Sequence, residues 1–229
     1  MLLSPRGPIA TSRSSALPIA GLLLFSAMPL TFAVIRALQF MGLVEIMPPL
    51  AESVAVPVAI HIGGALIYAT LGAFQFSTSL RRRWPSWHRR AGRLTFGAGM
   101  LVALSALWLT FGYATVSAGG ILLAVLRVIV GSAMALSLAF GLASILSRDV
   151  ARHREWMIRA YALGLGAATQ MIILMIGEIV TGAPLGELAR AVLMGIAWSI
   201  NFATAEWIIR RARPSPRRGR DFGGAKSLA

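Results

Sequence analysis

The segment RRRWPSWHRRAGR (residues 81–93) separates two long apolar stretches of the chain. It contains six arginines, two tryptophans and one histidine. In membrane proteins, basic segments of this kind stay on one side of the bilayer, and tryptophans lie at the membrane interface. The segment therefore predicts a connection between two transmembrane helices.

The composition of the whole chain supports a membrane fold. Of its 229 residues, 57% are hydrophobic and 13% are charged, whereas soluble domains have about 25% charged residues. The apolar residues occur in long blocks, and about 20 residues in a helix cross a hydrocarbon core of about 30 Å. The predicted fold class is all-α, an integral membrane bundle of six transmembrane helices. The predicted spans are 16–40, 56–80, 94–113, 120–147, 160–181 and 188–209.

These spans divide the chain into three parts. Residues 16–209 form the six-helix transmembrane domain. Residues 1–15 are predicted to be a disordered N-terminal segment, and residues 210–229 a basic disordered cytoplasmic tail, because both are rich in polar residues and poor in large apolar ones.

The basic residues lie on alternate connections. Two precede the first span, six lie in 81–93, four in 148–159 and seven in the tail, whereas the other connections hold Glu45, Glu52 and Glu187. The positive-inside rule places the basic side and both termini in the cytoplasm, and the protein in the cytoplasmic membrane. The net charge of +14 predicts contact with the lipid bilayer and its anionic headgroups, and no nucleic acid partner. Protein partners are unknown.

Ionisable side chains within spans are costly and therefore mark candidate sites. Four are predicted toward the outer side, namely His61, Arg127, Glu178 and Arg190. Small and polar residues follow helical spacing around His61 on the second span and around Arg127 on the fourth. If these stripes face each other, the four residues form one polar site. The structural alternative is an interhelical hydrogen bond for His61 and an ion pair between Arg127 and Glu178.

A second polar group is predicted at the cytoplasmic side, as either a solvated surface or a site where two segments converge. Its members lie in HRRAGR (88–93), in HREWMIR (153–159) and near the ends of two spans. These motifs resemble a bacterial family of multi-spanning membrane proteins, domain of unknown function 2306, over about residues 61–210. The candidate cluster is Gln75, His88, Arg89, Arg93, His153, Trp156, Arg159, Asn201 and Glu206. The resemblance implies a helical membrane protein and no particular activity. The family often has an arginine in the middle of the fifth span, where this chain has Gln170, so a charged site there is in doubt.

The sequence leaves three functions open. With no catalytic motif in the chain, we expect a protein that is not an enzyme, with an intramembrane polar site for protons, a small solute or a lipid. No inverted repeat or unwound helix of the kind found in transporters is evident. The alternatives are a b-type haem-binding redox protein and an assembly subunit of a membrane complex. No cofactor is predicted outright and a metal site is unknown. Haem could be bound by His88 together with His153. His61 could not pair with either of them across one haem, because it is about 21 Å from the end of its helix that leads to the cytoplasmic side.

Overall fold

The computed structural model describes residues 16–113 and 120–212, and the regular elements in these ranges are α-helices. This confirms the predicted all-α class for the described part of the chain. The helices are α1 (Ala16–Phe40), α2 (Glu52–Gln75), α3 (Thr78–Arg83), α4 (Pro85–Tyr113), α5 (Gly120–Leu146), α6 (Val150–Gly164), α7 (Gly166–Thr181) and α8 (Glu187–Ala212).

Six apolar helical segments in these ranges are long enough to cross a membrane. They are α1, α2, α4, α5, α6 together with α7, and α8, with lengths of 24 to 32 residues. At 1.5 Å per residue, the shortest is about 36 Å long and exceeds a hydrocarbon core of about 30 Å. Large apolar side chains such as Leu24, Ile121 and Val180 are exposed on their outer faces, as expected of surfaces that contact lipid tails. The predicted bundle of six membrane spans is confirmed.

The two basic segments are helical rather than loops. We call the end of the bundle that carries them the basic end, and the other the opposite end. The Ser77 side chain accepts a 3.2 Å hydrogen bond from the Leu80 amide at the start of α3, and Asp149 caps α6 in the same way. Pro85 begins α4, at a position where its missing N–H has no helical partner to lose. The helices therefore extend past the apolar residues from which the spans were predicted.

The last helix also extends beyond its predicted boundary. α8 continues to Ala212, so residues 210–212 are helical and do not belong to a disordered tail. The predicted disordered N-terminal segment (1–15), the remaining part of the predicted tail (213–229) and the connection between the third and fourth spans (114–119) lie outside the described residues.

Tyr68 of α2 lies at the centre of the bundle. Its ring packs against Gly99 of α4 and Gly164 of α6, and a Cβ at either glycine would lie 2.6 Å from a ring carbon. Because glycine lacks this atom, the three helices approach closely. Met134 and Leu138 of α5 belong to the same buried cluster.

The small-residue stripes of α2 and α5 both pack against α4 and do not face each other directly. Gly64 of α2 packs against Ala98, and Gly131 of α5 packs against Leu107. α4 therefore lies between the two stripes, contrary to the arrangement that would have joined them.

The fifth span passes from α6 to α7 at Leu165, which keeps a right-handed helical conformation (φ −72°, ψ −4°). The helix is tightened there and not unwound. The Ala168 amide donates to the Leu165 carbonyl at 3.0 Å, a tighter turn than that of an α-helix. The side chain of Asn201 on α8 contacts both halves of the span. Its Nδ2 donates to the Ala162 carbonyl at 3.1 Å, and its Oδ1 accepts from the Thr169 hydroxyl at 2.7 Å. This one amide therefore satisfies backbone and side-chain groups on the two sides of this junction.

Candidate functional site

The structure does not bring the four predicted ionisable residues at the opposite end together as one site. His61 Nδ1 lies 3.1 Å from the Ser105 hydroxyl of α4, an interhelical hydrogen bond. Arg190 pairs with Glu178 at 3.3 Å, so the alternative pair of Glu178 with Arg127 is also not formed. Arg127 is half-buried and forms no hydrogen bond or ion pair with a described residue. His61 and Arg127 do not meet because α4 lies between their helices, α2 and α5.

At the basic end, an ion pair links α6 to α8. Arg159 Nε donates to Glu206 Oε1 at 2.5 Å, and Nη2 donates to Oε2 at 3.3 Å. The guanidinium carbon lies 4.7 Å from the ring centre of Trp156, a cation–π distance. The Arg159 and Glu206 side chains are 14% and 22% exposed. The two-pronged geometry and the partial burial indicate a rigid connection between the two helices.

Two histidines, which we call the histidine pair, come from the two basic segments. His153 Nδ1 lies 2.8 Å from the Gly141 carbonyl oxygen of α5. The His88 imidazole forms no hydrogen bond with a described residue, and its Nδ1 is buried. His88 lies near the start of α4 and His153 near the start of α6, both at the basic end. The convergence of the two basic segments into one site stays a prediction.

Gln75, the last residue of α2, packs against α4 at the basic end. Its Oε1 is 3.3 Å from the position of a Cβ on Gly92, one helical turn after His88 on α4. Its Nε2 is buried and has no partner among the residues that the structure describes. Arg89 donates to the Ser86 hydroxyl at 3.3 Å and Arg93 is exposed. Among the motif residues at the basic end, the structure thus shows a link between α6 and α8, and separate local contacts for His153, Gln75 and Arg89.

A cavity of about 60 Å³ lies at the centre of the bundle, beside the junction of α6 and α7. The Ser26 side chain on α1 is only 2% exposed, and its hydroxyl has no hydrogen-bond partner among the described residues. The Tyr161 hydroxyl donates to the Ala69 carbonyl at 2.8 Å. We call this space the central cavity; its polar and turn-forming lining residues are Ser26, Pro29, Tyr68, Tyr161, Gly164 and Leu165.

Sequence reasoning missed the central cavity. Tyr68 belongs to the small-and-polar stripe of the second span, but nothing placed it next to Ser26. The only signal of the cavity in the sequence was Pro29 inside the first span. A proline within a helix removes a backbone hydrogen-bond donor and weakens the helix there. Groups of three or more His, Cys, Asp or Glu side chains that could hold a metal ion do not occur in the described ranges.

The fold and these polar groups define an integral membrane protein of the multi-spanning helical class. The model of the family DUF2306, described as a predicted membrane protein, matches residues 58–209, and the chain belongs to this family. The resemblance seen in the motifs is confirmed. No curated protein and no solved structure matches the chain. The matched range contains the histidine pair and Asn201 but not α1, so the Ser26 wall of the central cavity lies outside it.

Proposed function

We propose that this membrane protein binds a small uncharged solute that forms hydrogen bonds, and transports it through the central cavity. The observation that carries the proposal is the buried Ser26 hydroxyl, which has no hydrogen-bond partner among the described residues and lines a cavity next to the junction of α6 and α7. A buried hydroxyl without a partner costs free energy, which a bound hydrogen-bonding molecule would recover.

The lining of the cavity indicates the class of solute. The Ser26 hydroxyl lies in a lining rich in alanine, leucine and valine side chains, a surface that suits an uncharged molecule with one or two hydrogen-bonding groups. One water molecule needs about 10–15 Å³ of such space. A cavity of about 60 Å³ therefore suits a solute about as large as four to six water molecules.

The position of Ser26 agrees with a site inside the membrane. Ser26 is ten residues from the start of α1, which is about 15 Å along the helix axis. α1 is 25 residues long, or about 37 Å, so the hydroxyl lies in the middle third of this helix.

We propose further that the protein lies in the cytoplasmic membrane with the basic end in the cytoplasm. The support is the distribution of charge, because the arginines of α3, the start of α4 and the start of α6 all lie at one end of the bundle. These arginines would contact anionic lipid headgroups on that side.

Reconstitution in liposomes tests transport. Vesicles with the purified protein are mixed by stopped flow with a hyperosmotic solution, and the change in light scattering is followed. An impermeant solute in that solution measures the flux of water, and glycerol, urea or formamide measures the flux of that solute. We expect flux of at least one solute above that of empty vesicles. Flux equal to that of empty vesicles for the whole panel, with a pH dye also unchanged, would contradict the proposal.

Replacement of Ser26 by alanine tests the location of the site. Loss of one hydrogen bond to the solute costs about 1 kcal/mol, which weakens half-saturation about fivefold. The matched control is Ser199→Ala, since Ser199 is exposed on α8 and bonds only to the Gly195 carbonyl of its own helix. Equal half-saturation in the wild type and in Ser26→Ala would place the site elsewhere.

A further inference from the structure

The segment between α1 and α2 is the longest non-helical part of the residues that the structure describes. It comprises residues 41–51, which we call the α1–α2 connection, and it lies at the opposite end of the bundle. None of its residues lines the central cavity, so the proposed transport does not use it. Its only charged residue is Glu45.

The connection exposes large apolar side chains. The exposed fractions of Met41, Leu43 and Ile46 are 63%, 66% and 68%. Contact of such side chains with water is unfavourable in proportion to their apolar area. Several of them in one short segment therefore indicate a surface that contacts an apolar phase or another molecule.

This apolar surface is continuous with that of the neighbouring spans. Phe40 at the end of α1 is 42% exposed, and Val56 near the start of α2 is 59% exposed. The exposed apolar faces of these two membrane spans contact lipid. Because the connection joins the two spans directly, lipid is the nearest apolar phase for Leu43 and Ile46.

Side chains of α1 bond to the backbone of the connection. Arg36 Nη1 donates to the Pro48 carbonyl at 2.8 Å, and Gln39 Nε2 donates to the Met47 carbonyl at 2.8 Å. Pro48 and Pro49 have no backbone N–H to satisfy. Non-helical backbone at membrane depth is tolerated only where other groups satisfy it, and these two donors are partners that lipid tails do not supply.

The backbone amides of the connection indicate its depth. The N–H groups of Val44, Glu45, Ile46 and Met47 donate to no described residue. An unpartnered N–H is costly in hydrocarbon, whereas water and phosphate oxygens in the headgroup layer can accept its hydrogen bond. The backbone therefore fits the headgroup layer, from which only the apolar side chains reach deeper.

We propose that the α1–α2 connection lies in the headgroup layer of the bilayer at the opposite end, with Leu43 and Ile46 inserted among the acyl chains and Glu45 in water. Arg36 and Gln39 hold its backbone at this depth. The partner of this surface is the phospholipid bilayer, in which the segment anchors the hairpin of α1 and α2. The inference does not depend on the central cavity, so either proposal can fail without the other.

Spin labels on single cysteines measure the depth. The chain has no cysteine, so Leu43→Cys, Ile46→Cys and the matched control Glu45→Cys are labelled separately in the full chain, in vesicles of phosphatidylcholine and phosphatidylglycerol. Oxygen concentrates in lipid and a nickel chelate stays in water, and each shortens the relaxation time of a label that it meets. We expect oxygen to be several-fold more effective than the chelate at positions 43 and 46, and the chelate to be more effective at position 45.

Two results would overturn the proposal. A greater effect of the chelate at all three positions would place the connection in water. Little effect of either reagent at positions 43 and 46 would show that protein covers them, such as a second copy of the chain. The three replaced side chains are exposed, so the folded bundle should tolerate the labels.

Arg36→Met tests how the backbone is held. Methionine keeps an apolar side chain and removes the donor to the Pro48 carbonyl. Loss of a hydrogen bond from a charged donor shifts the equilibrium between the held and the released connection about tenfold, so the ratio of the oxygen effect to the chelate effect at position 46 should fall. The matched control, Arg90→Met, removes an exposed arginine at the basic end and should leave the ratio unchanged. An unchanged ratio in Arg36→Met would contradict the role of Arg36.

Discussion

The ion pair between Arg159 and Glu206 should stabilise the bundle measurably. Two charge-assisted hydrogen bonds join these side chains at 2.5 and 3.3 Å, and each side chain is less than a quarter exposed. A hydrogen bond to a charged group contributes about 1.5–3 kcal/mol when protected from water, whereas exposed pairs contribute about 0–1 kcal/mol. With this partial exposure, we expect a coupling free energy of about 2 kcal/mol, or about thirtyfold in the unfolding equilibrium.

A double-mutant cycle measures that coupling. The variants are Arg159→Gln, Glu206→Gln and the double replacement, unfolded by sodium dodecyl sulfate in mixed micelles and followed by tryptophan fluorescence. The matched control is the same cycle on Arg190 and Glu178, a single contact at 3.3 Å between side chains that are 29% and 44% exposed. Its coupling should be below about 0.5 kcal/mol. Equal couplings in the two cycles, or a coupling below about 0.5 kcal/mol for Arg159 with Glu206, would refute the reasoning.

Two further replacements test the packing around the fifth span. Gly164→Ala should lower the free energy of unfolding by about 1–3 kcal/mol, because its Cβ would lie 2.6 Å from the buried Tyr68 ring, whereas the control Gly63→Ala, with open space around it, should not. Asn201→Ala should cost about 1–3 kcal/mol, because the Ala162 carbonyl near the junction of α6 and α7 loses its donor. Both are measured by the same unfolding titration, and an unchanged midpoint in either variant would contradict the described contact.

The sequence was sufficient to predict the six spans but not the lengths of the helices. Hydropathy detects the residues that lie in hydrocarbon, and capped polar turns can extend a helix beyond them. Thus α2 begins at Glu52 and α4 at Pro85, both earlier than the apolar residues suggest. The tightened turn at Leu165 was not predictable, because the residue is apolar and its neighbouring glycines are common in transmembrane helices. Asn201, which bonds to residues on both sides of it, is distant in sequence.

For the candidate site residues, the sequence predicts the depth of a side chain in the bundle but not the direction in which it points. Counting residues from the end of a span gives the depth of His61 or Arg127, but not which neighbour each side chain faces. That direction depends on the order of the helices around the bundle, and α4 occupies the space between the two. At the basic end, counting residues places His88 and His153 at a similar depth, and their convergence into one site stays a prediction. The partner of Arg159 could not be predicted, because α6 and α8 meet only in the folded chain.

The central claim is that six helices cross the membrane with the basic end in the cytoplasm, and cysteine labelling in intact cells tests it most directly. The chain has no cysteine, so single replacements at the exposed residues Ser86, Ala151, Glu45 and Ala183 give unambiguous signals. A maleimide that cannot cross the membrane should label Glu45→Cys and Ala183→Cys, at the opposite end, and should label Ser86→Cys and Ala151→Cys only after the cells are opened. Labelling of Ser86→Cys or Ala151→Cys in intact cells would contradict the account.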